Sequence, residues 1–178
     1  MVRARGEQLA IGAVGAVNLF ESAPEWLVWL LAALLVAAAV EDAVRLKISN
    51  ILCLGVLAGA IAAMGFSGPD ISLWQNALVF TVLLAGGTFQ FSLGKMGGGD
   101  VKLMATLGLW CDIPSSLNLL LGVFLSGGVL ALLILGARMF APAAAGRRVV
   151  VLRPGSGIPY GVAIAAGGLI SLALHRGG

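Results

Sequence analysis

Charge is what this sequence has least of. Asp, Glu, Lys and Arg make up 11% of its 178 residues, against about 25% in ordinary soluble domains. That shortage argues against a water-soluble fold. The net charge is only +3 and the basic residues lie scattered between apolar runs, so no nucleic-acid surface is expected. Histidine occurs once, as His175 near the C-terminus, which leaves a histidine triad or a zinc protease little to build from. The two cysteines, Cys53 and Cys111, form no CxxC pair and no Cys/His cluster. A structural zinc site is therefore not expected, and no metal or other cofactor is assigned.

What fills the space is apolar. Hydrophobic residues are 60% of the chain and the mean hydropathy is +1.03, so the bilayer is the expected solvent for much of the surface. Glycine is abundant, at 26 residues, which suits membrane helices whose backbones approach closely. A hydrocarbon core of about 30 Å takes roughly 20 helical residues to cross. Apolar runs lie at Trp26–Val40, Ile51–Phe66, Trp74–Leu93, Val101–Cys111, Leu117–Met139 and Ile158–Leu174. The expectation is an all-α membrane protein of about six transmembrane helices, with a glycine-rich loop before a short fourth helix.

Basic residues favour cytoplasmic loops. With the Asp42–Asn50 loop inside, Arg45, Lys47, Lys95, Lys102, Arg138, Arg147, Arg148 and Arg153 all fall on the inner side, while Arg3, Arg5 and Arg176 do not. Glu21, Glu25, Asp70 and Asp112 then mark the outer ends. Residues 1–24, whose apolar stretch Leu9–Val17 is short for a span, are expected to lie at the membrane interface, ahead of one transmembrane domain over 25–178. Cys53 and Cys111 fall near opposite leaflets in this scheme, beyond the roughly 7 Å reach of a disulfide.

The informative residues are those a membrane segment should not want. Asp42 ends the first run, and Asp100 follows Gly97-Gly98-Gly99 and opens the short fourth one. Ionisable groups at membrane depth are costly and mark functional sites. Three adjacent glycines are poor helix formers, and irregular backbone at such depth survives where it is covered by protein or lines a wet cavity. The expectation is a recessed glycine loop that carries Asp100 to the start of a helix, on the same membrane face as Asp42.

Gly97-Gly98-Gly99-Asp100-Val101-Lys102 resembles the GxGDxK pattern of the type IV prepilin peptidases, membrane aspartyl proteases of the GxGD class. Asp42-Ala-Val-Arg-Leu-Lys-Ile-Ser-Asn50 is similar to that family's first aspartate box, with Ser49 where Pro is common. Lys102–Trp110 and Ile158–Gly167 look like its later signatures. The length resembles the short members associated with tight-adherence (Flp/Tad/Cpa) pili. Long members carry paired CxxC motifs and a methyltransferase activity; nothing here corresponds, and that activity is not carried over.

The resemblance implies a prepilin substrate with a basic leader and an apolar helix, cut at the cytoplasmic face of a bacterial inner membrane. Asp42 and Asp100 would be the catalytic pair, one activating water and the other protonating the leaving amide. Gly97, Gly98, Gly99 and Lys102 would support the site, and Glu41 would help receive the basic leader. Membrane lipids are the other expected partner. Two rival readings are a small ion- or proton-coupled transporter using the same acids and a non-catalytic membrane subunit of a pilus or secretion machine.

Overall fold

A computed structural model describes residues 17–68, 73–140 and 157–177. Among the described residues there are seven helices and no strands. These are α1 (Leu19–Ser22), α2 (Glu25–Arg45), α3 (Asn50–Ser67), α4 (Trp74–Ser92), α5 (Gly98–Gly108), α6 (Ile113–Phe140) and α7 (Tyr160–Arg176). The chain is an all-α membrane protein.

Among the described residues, Glu25–Arg45, Asn50–Ser67 and Ile113–Met139 are long and apolar enough to cross a membrane. The other three expected segments fall short for visible reasons. Helix α4 opens on Gln75 and Asn76, which are buried; α5 has 11 residues, about 16 Å of rise; α7 has 17. Bilayer-facing side chains such as Ile51, Phe124, Leu125 and Leu132 stay exposed on the outside of the bundle, as a lipid solvent permits.

Helix α5 forms the centre, packed against α3, α4 and α7, while α2 and α6 also lean on α7. Leu27, Leu31, Leu35, Val56, Leu103, Leu107, Trp110 and Ile164 are essentially fully buried there. With little water to expel between helices in lipid, tight backbone approach supplies much of the attraction. Between α6 and α7 the backbones touch: a Cβ at Gly167 would lie 2.5 Å from Val123 N.

Residues 1–16 of the N-terminal segment lie outside the described residues, as do Asp70, Arg147, Arg148 and Arg153. The end of that segment packs into the bundle, with Leu19 and Phe20 fully buried. Leu19 N–H donates to Trp110 O at 3.0 Å, Asn76 Nδ2 donates to Val17 O and Leu109 O at 3.1 Å, and Arg176 donates to Phe20 O and Ala23 O.

One expectation is corrected. The glycine run does not stay out of the helix: Gly98 and Gly99 form the first turn of α5, with Gly97 as its N-cap. The loop proper is residues 93–97 and turns at Gly94, whose φ is +68°. Propensity disfavours two glycines in a helix by about 1 kcal/mol each, but here close packing overrides it. A Cβ at Gly99 would sit 3.0 Å from Ile48 Cβ and 3.1 Å from its carbonyl oxygen, so a side chain there would push α5 away from the α2–α3 turn.

Candidate active site

Asp42 lies in the last turn of α2. The helix ends at Arg45, three residues after Asp42, and the next residue, Leu46, takes a left-handed conformation (φ 53°) with its N–H closing on Asp42 O at 2.8 Å. That conformation costs a non-glycine residue about 1–2 kcal/mol and turns the chain sharply into Ile48. The carboxylate itself is buried, and its Oδ2 accepts the N–H of Gly161 at 2.7 Å. This donor belongs to the first turn of α7, where N–H groups have no helical partner and the helix dipole favours an anion. Glycine makes room for both side chains: a Cβ at 161 would fall 2.5 Å from Ile48 Cδ1 and 2.9 Å from Asp42 Oδ2, so one of them would have to shift.

Asp100 sits in the first turn of α5, also buried. Its Oδ2 reaches back to accept Gly97 N–H at 3.2 Å, the carboxylate half of a capping box. Its Oδ1 is buried without a hydrogen-bond partner. Ile48 is the hinge of the arrangement, packed against Gly99 on one side and Gly161 on the other. The turn between α2 and α3 thus gathers the starts of α5 and α7, and with them Asp100 and Asp42. The two acids are near enough for the charge on Asp42 to act on Asp100. Among the described residues neither buried acid has an ion pair; the neighbouring Glu41 instead lies 3.6 Å from Arg45.

The remaining expected site residues divide. Gly97 supplies the N–H to Asp100, Gly99 the close approach, and Gly98 lies against Phe91. Lys102 points away from the acids and donates from Nζ to Asn50 Oδ1 at 2.9 Å, tying α5 to α3. Glu41 faces the turn: it accepts Ser49 N–H at 2.9 Å and lies 3.6 Å from Arg45. Ser49, where the resembling family commonly has Pro, therefore uses the amide that Pro would lack. Cys53 and Cys111 are both free and buried. The Cys53 thiol donates to Gly99 O at 3.8 Å, at the start of α5, while Cys111 lies beyond its end.

Sequence reasoning missed the roles of Ile48 and Gly161. Both stand inside stretches singled out by their resemblance, yet nothing local says that Gly161 N–H meets a carboxylate 119 positions away. Among the described residues no group of three or more His, Cys, Asp or Glu side chains could hold a metal ion.

No curated protein and no solved structure matches the chain. The model of the type IV leader peptidase family matches residues 29–132. That stretch is more than half of the sequence and contains Asp42, Ile48 and Asp100. A GxGD-like turn and a second buried acid are thus set in a matching frame, and the chain belongs to the type IV leader peptidase family.

Proposed function

We propose that this protein is a prepilin leader peptidase of the tight-adherence (Flp/Tad) kind, with Asp42 and Asp100 as its catalytic pair. The observation that carries the reading is the convergence of two buried carboxyls from α2 and α5, each oriented by a backbone N–H and neither paired with a cation among the described residues. Two such acids resist ionising together and titrate as a pair, so one proton is shared between them. The ionised member removes a proton from water as it attacks the scissile carbonyl. The protonated member then delivers its proton to the departing amide nitrogen. The Oδ1 of Asp100 is buried and makes no hydrogen bond, which leaves it uncommitted to the fold; the Gly161 bond holds Asp42 in place.

Gly97 and Gly99 maintain the geometry of Asp100, and Lys102 fixes the start of α5 to α3. Glu41, in the same helical turn as Asp42, offers a partly exposed acid toward a basic leader. The site faces the cytoplasm from a bacterial inner membrane, since the loops around it carry Arg45, Lys47, Lys95 and Lys102. Residues 25–178 act as one peptidase domain on leader cleavage alone. The test is to co-express the chain with a leader-bearing precursor and weigh the product by mass spectrometry. Loss of the leader with the native chain and its retention with Asp42→Asn or Asp100→Asn is the expected result. Leader loss with both variants would remove the acids from the reaction.

A further inference from the structure

The apolar wall of the bundle is flush at one end and stepped at the other. Helix α7 packs against both α2 and α6 and meets them near its middle, where Gly168 touches Leu35 of α2 and Gly167 touches Val123 of α6. From that shared level toward the far end, α2 runs about 15 Å to Glu25 and α6 about 16 Å to Asp112. Toward the end holding Asp42 and Asp100 the two helices differ. The first charge on α2 is Glu41, about 9 Å along, whereas α6 stays free of charge for about 22 Å, as far as Arg138. Leu132, Leu133, Leu135 and Met139 are exposed on this upper part of α6. It does not splay away from α7, since Ser126 donates to Ala163 O at 2.9 Å and Arg138 to Gly157 O at 3.5 Å. On the α2–α3 flank, Arg45, Lys47 and Asn50 are exposed instead, with Lys102 tied to Asn50.

We infer that the α2–α3 flank binds phospholipid headgroups drawn down into a local dip of the bilayer, while α6 keeps acyl chains at full height on the other side of α7. The uncharged wall measures about 24 Å between Glu25 and Glu41 and about 39 Å between Asp112 and Arg138. A hydrocarbon core of about 30 Å lies between those values. Tilting the whole molecule does not reconcile them, because it would unseat the flush far end. A bilayer meets a short wall by thinning and a long one by thickening. The irregular α2–α3 turn argues the same way, since lipid-exposed loops do not occur within hydrocarbon. Arg45, Lys47 and Lys102 there present cations that suit headgroup phosphates. The dip itself stands without the peptidase reading; one consequence rests on it. Headgroups and water at this flank come level with Asp42, so the hydrolytic water and a basic leader reach the acids without crossing acyl chains.

The experiment places nitroxide labels on Val44→Cys in α2 and Leu132→Cys in α6, in dioleoyl phosphatidylcholine vesicles. Both positions are exposed and both stand about 14 Å from the shared level. Val36→Cys, exposed at mid-height on α2, is the lipid control, and the native chain, whose two cysteines are buried, gives the background. Collisions with a water-soluble nickel chelate and with lipid-soluble oxygen report the surroundings of each label. The Val44 label should favour nickel, and the Leu132 and Val36 labels oxygen. A flat bilayer gives equal readings at equal heights. Oxygen preference at both Val44 and Leu132, nickel preference at both, or a Leu132 label shielded from both reagents therefore overturns the dip. Cleavage of a leader-bearing precursor should fall severalfold from dimyristoleoyl to dierucoyl lipid, whose longer chains oppose thinning. Equal rates overturn the consequence for turnover. Absence of cleavage in every lipid, beside labels that read as expected, supports the dip and removes the peptidase reading alone.

Discussion

The two ends of the helix bundle solve opposite problems. At the end holding Asp112, side-chain donors serve backbone acceptors: Asn76 reaches Val17 O and Leu109 O, Arg176 reaches Phe20 O and Ala23 O, and Trp110 Nε1 reaches Val56 O at 3.1 Å. The bonds to Val17 O, Leu109 O and Ala23 O satisfy carbonyls that irregular backbone would otherwise strand in a low-dielectric setting. Asp112 itself accepts Ser115 N–H at 2.9 Å there; at the other end two buried acids are held in this way, Asp42 by the N–H of Gly161 and Asp100 by that of Gly97. The first arrangement fastens the chain together. The second holds ionisable groups in position while leaving their protons free to move. Substitutions at the two ends should therefore separate activity from stability.

The largest effect belongs to the acids. Asp42→Asn and Asp100→Asn should each lower leader cleavage by about 10³-fold or more, in line with loss of a positioned acid or base. Asparagine keeps a carbonyl oxygen that can accept the Gly161 or Gly97 N–H, so thermal unfolding in detergent should stay near the native value. A collapse of stability in both variants would assign the carboxyls a structural role and erase the contrast between the ends.

Next comes the glycine that positions Asp42. In Gly161→Ala the new methyl meets Ile48 Cδ1 at 2.5 Å and Asp42 Oδ2 at 2.9 Å, so the carboxylate or the start of α7 must move. Displacement of a reacting group by about 1 Å can cost about 100-fold in rate, and overpacking costs about 1–3 kcal/mol of stability. Activity should fall much further than stability, measured as kcat against the unfolding midpoint. Far-end substitutions invert that ratio. Arg176→Ala and Asn76→Ala strip donors from buried carbonyls and should each cost about 1–3 kcal/mol, with kcat unchanged well below the unfolding temperature.

The two kinds of contact were unequally legible. Apolar runs located α2, α3, α4, α6 and α7 to within a few residues, because a bilayer imposes length and hydropathy directly on sequence. The burial of Asp42 and Asp100 was legible for a related reason: acids at the edge of an apolar run are expensive, so their presence is conspicuous. The helical state of Gly98 and Gly99 was not, since local propensity pointed the other way and the deciding contact, Ile48, lies some fifty positions earlier. Gly161 was equally opaque, because what matters there is a backbone N–H that every non-proline residue possesses. The burial of Leu19 and Phe20 depended on donors from Asn76 and Arg176, contacts that no periodicity encodes.

The smallest prediction probes whether the far end is purely structural. Ser171 is fully buried in α7 and its hydroxyl has no hydrogen-bond partner, while its backbone carbonyl separately takes the His175 Nδ1 contact at 2.7 Å. An unmade bond in a low-dielectric interior is a standing penalty, and alanine is the better helix former by up to about 0.7 kcal/mol. Ser171→Ala should therefore leave kcat and KM untouched and raise stability by roughly 0.5–1 kcal/mol. The unpartnered Oδ1 of Asp100 supplies the counter-case, because there removal of a polar atom should abolish turnover. If Ser171→Ala instead slowed cleavage, the hydroxyl would belong to a path connecting the two ends, and their division of labour would fail at that residue.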